Sequence, residues 1–213
     1  MNLLMAAQNA LDNDAHGLCD FGKPGNYFAR QIARWGGQYR ASETERIEAM
    51  EKLLAWLPAN IPTGDETVLV HGDYRLDNLI FDSHSSRLRA VVDWELSTLG
   101  HPLADFSYHA MLWRIPAGEA GGLMGLELLP LGIPSEAQYI AAYCARTGRA
   151  TIEPRVWEFC MAYNLFRIAC IRQGIMKRVL AGTAASAHAR EAGSKARATA
   201  ELAWRQVEEQ VGA

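Results

Sequence analysis

The 213 residues are 49% apolar and 21% charged, with a formal net charge of −3. That balance describes a soluble globular domain with room for a substantial core and a subdomain. It argues against a nucleic-acid binder, whose domain is usually basic. The four cysteines, Cys19, Cys144, Cys160 and Cys170, form no CxxC pair. Three of them sit in apolar, helical contexts, which predicts buried reduced thiols rather than disulfides or zinc ligands. Residues 1–11 lack the basic start and cleavage pattern of a signal peptide, and no apolar run has the length to span a membrane. The expectation is a cytoplasmic protein without a membrane partner.

Residues 1–11 are apolar and helix-prone, with Leu3, Leu4, Ala7 and Leu11 spaced to form one face. Residues 12–25, rich in Gly, Asp and Pro, read as a loop. Residues 27–40 repeat apolar side chains at Phe28, Ile32 and Trp35 as a helix does, and Gly36-Gly37 is placed to end or loosen it. Ser42-Glu43-Thr44-Glu45 reads as a capping box. The helix it opens carries Ile47, Met50, Leu53, Leu54 and Leu57 and closes at Pro58 and Pro62. Residues 68–70, 79–81 and 90–92 read as short strands, with a turn over 83–86. Residues 103–113 look helical. Residues 114–134 hold five glycines and three prolines and suit a mobile substrate-side loop. Ser135 caps a helix to about Thr147. Pro154 opens a long helix ending near Gly182, with Gly174 inside it to permit close packing. Residues 183–197 are rich in Ala, Ser and charge, and 198–211 form a last amphipathic helix. Helices outnumber strands about three to one and the strands lie together in the middle, which predicts an α+β, mostly α-helical domain.

The chemistry gathers in one stretch, VLVHGDYRLDNLIFDSHSSRLRAVVDWELSTLGHPLAD, over residues 68–105. Polar residues stand where each apolar run stops: His71 and Asp73 after the first, Asn78 before the second, Asp93 after the third. Two carboxylates and an amide at strand ends point to a divalent metal and a proton transfer. Mg²⁺ takes one or two protein oxygens and completes its shell with phosphates and water. Asn78 and Asp93 supply that number, with Asp93 expected at the end of a buried strand. Asp73 is then left as a base for the proton of an attacking hydroxyl.

HGDYRLDN resembles the catalytic loop of the aminoglycoside phosphotransferase and choline kinase-like families, relatives of the protein kinases. VVDWE resembles their metal-binding Asp motif, and LGHPLADF the segment that follows it. GLCDFGKPGNYFARQIARWGGQY, WELSTLGHPLAD and LGIPSEAQYIAAYCARTGR are similar to one branch, that of kinase domains fused to acyl-CoA dehydrogenases, so the resemblance covers nearly the whole chain. It implies Asp73 as catalytic base, Asn78 and Asp93 as ligands of Mg²⁺, and ATP as phosphoryl donor. Arg75, two residues after the base, would neutralise charge on the transferred phosphoryl group. Asp105 would brace the loop through its backbone N–H groups, His71 would hold it by hydrogen bonds, and Glu95 would lie behind the metal. The pattern departs at His101, where the family usually has Asp.

The same resemblance implies an N-terminal lobe with a nucleotide-covering loop, a strand Lys and a helical Glu. Only Lys23 and Lys52 precede the catalytic loop, neither in a strand context. The expectation is therefore a single C-terminal lobe of the protein-kinase-like fold over residues 1–213, without the N-terminal nucleotide lobe. A homodimer partner or a separate N-lobe would cover the lobe-facing surface. Trp94 and Trp113 are expected in the core, His101 and His109 at a helix start and in the core, and Arg167, Arg172, Lys177 and Arg178 on a solvated face. The expected function is ATP- and Mg²⁺-dependent phosphoryl transfer to a hydroxyl of a small molecule, with a hydroxyacyl-CoA as the branch's indication. Two alternatives stand beside it: a pseudokinase-like binding or assembly module, and a phosphohydrolase holding two metal ions with Asp73 and Asp93.

Overall fold

A computed structural model describes residues 1–119 and 121–211. In chain order the elements are helices α1 (Asn2–Asn9), α2 (Tyr27–Ser42) and α3 (Glu48–Ala59), then strands β1 (Val68–Val70), β2 (Leu79–Phe81), β3 (Leu88–Val91) and β4 (Thr98–Gly100). Helices α4 (Pro102–Ala110), α5 (Glu136–Thr147), α6 (Pro154–Leu180), α7 (Ala189–Ser194) and α8 (Ala196–Val211) complete the order. The strands pair as two separate antiparallel ladders. Val68 to Val70 of β1 face Gly100 to Thr98 of β4, and Leu79 of β2 faces Val91 of β3. The fold is α+β and mostly α-helical. No helix among the described residues is long and apolar enough to cross a membrane.

The chain forms two compact units. The first combines Met1–Gly25 with Asp65–Glu153. In it α1 packs on α5, and the Phe106 ring of α4 stacks on Tyr143 with centroids 3.9 Å apart. The helix α5 opens with a capping box: Ser135 Oγ accepts from the Gln138 N–H, and Gln138 Oε1 accepts from the Ser135 N–H. The face of α1 differs from the apolar spacing. Asn2, Met5, Ala6 and Gln8 turn inward, while Leu3 is 67% exposed. The cause is tertiary hydrogen bonding, since Asn2 Nδ2 donates to the Tyr139 carbonyl at 2.8 Å and Gln8 Nε2 to the Leu69 carbonyl at 3.1 Å.

The second unit combines Asn26–Gly64 with the residues from Pro154 onward. Helix α6 lies at its centre, and Phe28 of α2 meets Phe159 and Tyr163 edge-on at 5.1 and 5.2 Å. Cys160 and Cys170 are buried here as free thiols, as is Cys144 in the first unit, whereas Cys19 is exposed. Several local expectations give way. Helix α2 runs through Gly36-Gly37 to Ser42, and a Cβ at Gly36 would come within 2.8 Å of Leu54 Cδ2. Ser42 does not open α3; its hydroxyl donates back to the Gln38 carbonyl at 2.7 Å and closes α2. Helix α3 starts after Ile47 without a side-chain cap, and Ile47 is fully buried, so packing fixes that start. Gly174 has room, as a Cβ there would meet Gln38 Nε2 at an ordinary 3.6 Å. The close approach belongs to Gly193 of the unforeseen α7, where a Cβ would lie 2.9 Å from the Met176 backbone. The cations of α6 divide: Lys177 and Arg178 lie on the expected exposed face, whereas Arg167 is buried and Arg172 half-buried. Arg167 is buried with its guanidinium 5.2 Å from the Trp35 ring centroid, Arg172 donates to Thr199, and Lys177 donates to the Ala41 carbonyl.

Candidate active site

Strand β1 ends in His71-Gly72-Asp73, and α4 holds that loop by its backbone. Every residue of α4 is buried. Pro102 suits its first turn, and His101 caps it, Nδ1 accepting from the Leu103 N–H at 3.2 Å. The Asp105 carboxylate in that first turn accepts from the His71 N–H at 2.5 Å and from the Gly72 N–H at 2.8 Å. Gln8 Nε2 reaches the same carboxylate at 3.4 Å. The positive end of the helix dipole favours an anion at this position. Gly72 has φ +82, and a Cβ there would lie 2.5 Å from the Leu96 carbonyl oxygen. Only glycine fits.

His71 fixes the loop from the other side. Its Nδ1 accepts from the Asp73 N–H at 3.2 Å, so the ring proton is on Nε2, which donates to the Val92 carbonyl at 3.0 Å. The fully buried ring thereby ties the 71–73 loop to the end of β3, just before Asp93.

Asp73 itself is half-buried and receives two donors. The Tyr108 hydroxyl donates to Oδ1 at 2.6 Å, and Asn78 Nδ2 donates to Oδ2 at 3.2 Å. Asn78 Nδ2 also donates to the Asp73 carbonyl at 2.9 Å. Both partners are oxygens, so the amide nitrogen must face Asp73 and Asn78 Oδ1 becomes the outward acceptor. The Val92 N–H donates to the Asn78 carbonyl at 3.0 Å, which carries the β2–β3 ladder one step further. Asp93 is then the first residue beyond the pairing. It adopts φ 67 and ψ 52, a left-handed conformation that Asp tolerates better than most residues. The expected burial does not hold. β3 is half-exposed along most of its length and Asp93 is exposed, because the short β2–β3 ladder is not covered on both faces.

Asn78 Oδ1 and the Asp93 carboxylate are hard oxygen donors of the kind Mg²⁺ takes. Among the described residues, no three His, Cys, Asp or Glu side chains gather as a metal cage. An ion held by this pair would need further oxygens, which phosphates and water can supply.

The remaining candidates fall outside this cluster. Arg75 pairs with Asp77 and its side chain is 52% exposed, and its guanidinium also lies within electrostatic range of Tyr108 and Asp73. Trp94 is 37% exposed, with its ring 4.7 Å from that of His71, and Trp113 is half-buried with Nε1 donating to the Pro134 carbonyl. Trp94, in a 3₁₀ turn beyond β3, is not a core tryptophan, whereas Trp113 borders the core with its ring 4.6 Å from that of buried Tyr139. Glu95 is exposed. His109 is buried among Tyr74, Tyr139 and Trp113, its Nδ1 has no hydrogen-bond partner, and burial pushes its pKa down to about 4. Two residues of the site escape the motif: Gln8, which no local pattern marks, and Tyr108. Tyr108 stands three positions after Asp105 on a helix, a spacing that puts both on one face.

The family model described as the phosphotransferase enzyme family matches residues 3–163. A mouse protein, acyl-CoA dehydrogenase family member 10, is 44% identical over 96% of this chain, but that segment is only 19% of its own length. Human acyl-CoA dehydrogenase family member 11 is 37% identical over 85% of the chain and 23% of its own length. Among solved structures, a Ralstonia eutropha protein assigned as an aminoglycoside phosphotransferase superposes with a TM-score of 0.93 at 53% identity, over 98% of this chain and 63% of that one. A macrolide 2′-phosphotransferase from Brachybacterium faecium shares the fold at 20% identity, with a TM-score of 0.52 over 92% of this chain and 57% of its own. The chain thus spans about a fifth to a quarter of these curated relatives and under two thirds of these solved chains. The family match itself covers well over half of the residues present, and the chain belongs to the phosphotransferase enzyme family.

Proposed function

We propose that this chain is the acceptor-side part of an ATP- and Mg²⁺-dependent kinase that phosphorylates a hydroxyl of a small molecule. The observation that carries the reading is the setting of Asp73, a half-buried carboxylate on a loop pinned by Asp105 and His71 and bordered by Asn78 and Asp93. Each of its oxygens accepts one donor and keeps a lone pair, so it has room for the proton of an approaching hydroxyl. Asn78, through Oδ1, and Asp93 would hold Mg²⁺, which when bound neutralises charge on the phosphates. Arg75, once released from its exposed pair with Asp77, is within the loop's reach to meet phosphoryl oxygens. The names of the acyl-CoA dehydrogenase relatives favour an acceptor hydroxyl carried on an acyl-CoA. The rest of the nucleotide envelope is assigned to a further lobe of polypeptide, in the same chain or in a partner, and the setting to the cytoplasm.

A binding module without turnover is the second reading. It is favoured by the pairing of Arg75 with Asp77, which occupies the cation nearest to the base along the chain. The two-ion phosphohydrolase has less support, because the family that the chain matches is one of phosphotransferases. Calorimetric titration with Mg·ATP tests the metal assignment. Saturable, Mg²⁺-dependent binding should be lost in Asn78→Ala and in Asp93→Ala, and wild-type binding in both variants would remove those residues from the ion.

A further inference from the structure

We propose that Tyr108 is a positioning residue for the catalytic base, its phenol fixing the plane of the Asp73 carboxylate and so the direction from which a proton is taken. The proposal rests on the phosphotransferase reading above. Asp105 and Tyr108 are three residues apart on α4, and both reach the same loop. The helix therefore grips that loop twice. Asp105 holds the backbone N–H groups of His71 and Gly72, and Tyr108 holds the reactive side chain at 2.6 Å.

Holding a base in place and aiming it are different tasks. A carboxylate tied only through its backbone can rotate and presents about four lone-pair sites. With the Tyr108 O–H on Oδ1 and Asn78 Nδ2 on Oδ2, the plane is set and about two sites remain. An acceptor hydroxyl can then meet the base only along those directions, which is the orientation a transfer needs. The two donors are unequal. The Tyr108 contact is short and comes from a residue only 6% exposed, so its hydroxyl has little freedom. Hydrogen bonds donated to a carboxylate under such conditions are among the stronger ones. Asn78 sits at 3.2 Å and also serves the loop carbonyl, and as a metal ligand it is committed to a second task. Tyr108 gives its hydroxyl to the carboxylate from α4, a helix that does not belong to the loop.

Tyr108→Phe removes one O–H and keeps the ring that packs the helix. The expected result is a fall in kcat for phosphoryl transfer of about 10- to 100-fold, with KM for ATP within about twofold of wild type. Loss of one hydrogen bond to a charged group should lower the thermal midpoint by about 3–12 °C and leave the chain folded at the assay temperature. Unchanged kcat, or a rise in KM for ATP as large as the loss in kcat, would overturn the proposal. If the wild-type chain transfers no phosphate to any hydroxyl, the phosphotransferase reading fails on its own and the aiming contact is still decided by proton NMR. A Tyr108 phenolic proton that exchanges slowly in wild type and is lost in Asp73→Ala supports the contact. Fast exchange in the wild-type chain overturns it.

Discussion

Replacing Asp105 by Ala removes the acceptor that the His71 and Gly72 N–H groups both use. Asp105 is 2% exposed and His71 fully buried, so water has poor access to replace the lost oxygens. An N–H deprived of its partner in such a place costs about 1–3 kcal/mol, and two of them cost about 2–6 kcal/mol. Partial entry of water into the vacated space brings the expected loss to about 3 kcal/mol. Asp105→Asn should fall between the variant and wild type, because its amide oxygen still serves one N–H while its NH₂ meets the other. Urea unfolding gives the global figure, and amide hydrogen exchange at His71 and Gly72 gives the local one. A loss below about 1 kcal/mol in Asp105→Ala, with both amides as protected as in wild type, would refute the account of how the loop is held.

Gly72→Ala forces a Cβ to within 2.5 Å of the Leu96 carbonyl at φ +82, and should cost about 2 kcal/mol or more; an unchanged thermal midpoint would contradict this. His109 stays neutral in the fold because burial lowers its pKa from 6.5 to about 4. Above pH 6.5 neither state is charged and the histidine costs nothing. As pH falls from 6.5 to about 4, the unfolded chain gains a proton that the folded chain refuses, and stability declines by about 3 kcal/mol. His109→Phe should flatten this part of the stability–pH curve by that amount, whereas curves that stay parallel to wild type would contradict it.

How far the sequence was legible follows from where each signal lies. His71, Asp73 and Asn78 share one eight-residue loop, so nearness along the chain accounts for their meeting in space. The long helix α6 and the Ser135 cap of α5 were equally readable, because periodicity and a capping serine are local; the part of Gln138 in that cap appears only in the structure. The misreadings are all tertiary. Ser42-Glu43-Thr44-Glu45 has capping-box chemistry, yet the Ser42 hydroxyl turns back onto Gln38 and buried Ile47 sets the next helix start. Leu3 faces outward because Asn2 and Gln8 have carbonyl partners inside. Trp94 leaves the core because the short β2–β3 ladder beside it is covered only in part. Tyr108 was missed for a related reason: its partner lies 35 residues away, and only the helical spacing from Asp105 pointed toward it.

The central claim is that Asp73 takes the proton of a small-molecule hydroxyl as phosphate is transferred to it. The most direct measurement follows radiolabelled γ-phosphate from Mg·ATP onto hydroxylated acceptors, hydroxyacyl-CoA thioesters among them, for wild type and Asp73→Ala side by side. The account predicts transfer by the wild type and a loss of about 1,000-fold in the variant, with Mg·ATP binding retained. Equal transfer by both would contradict it.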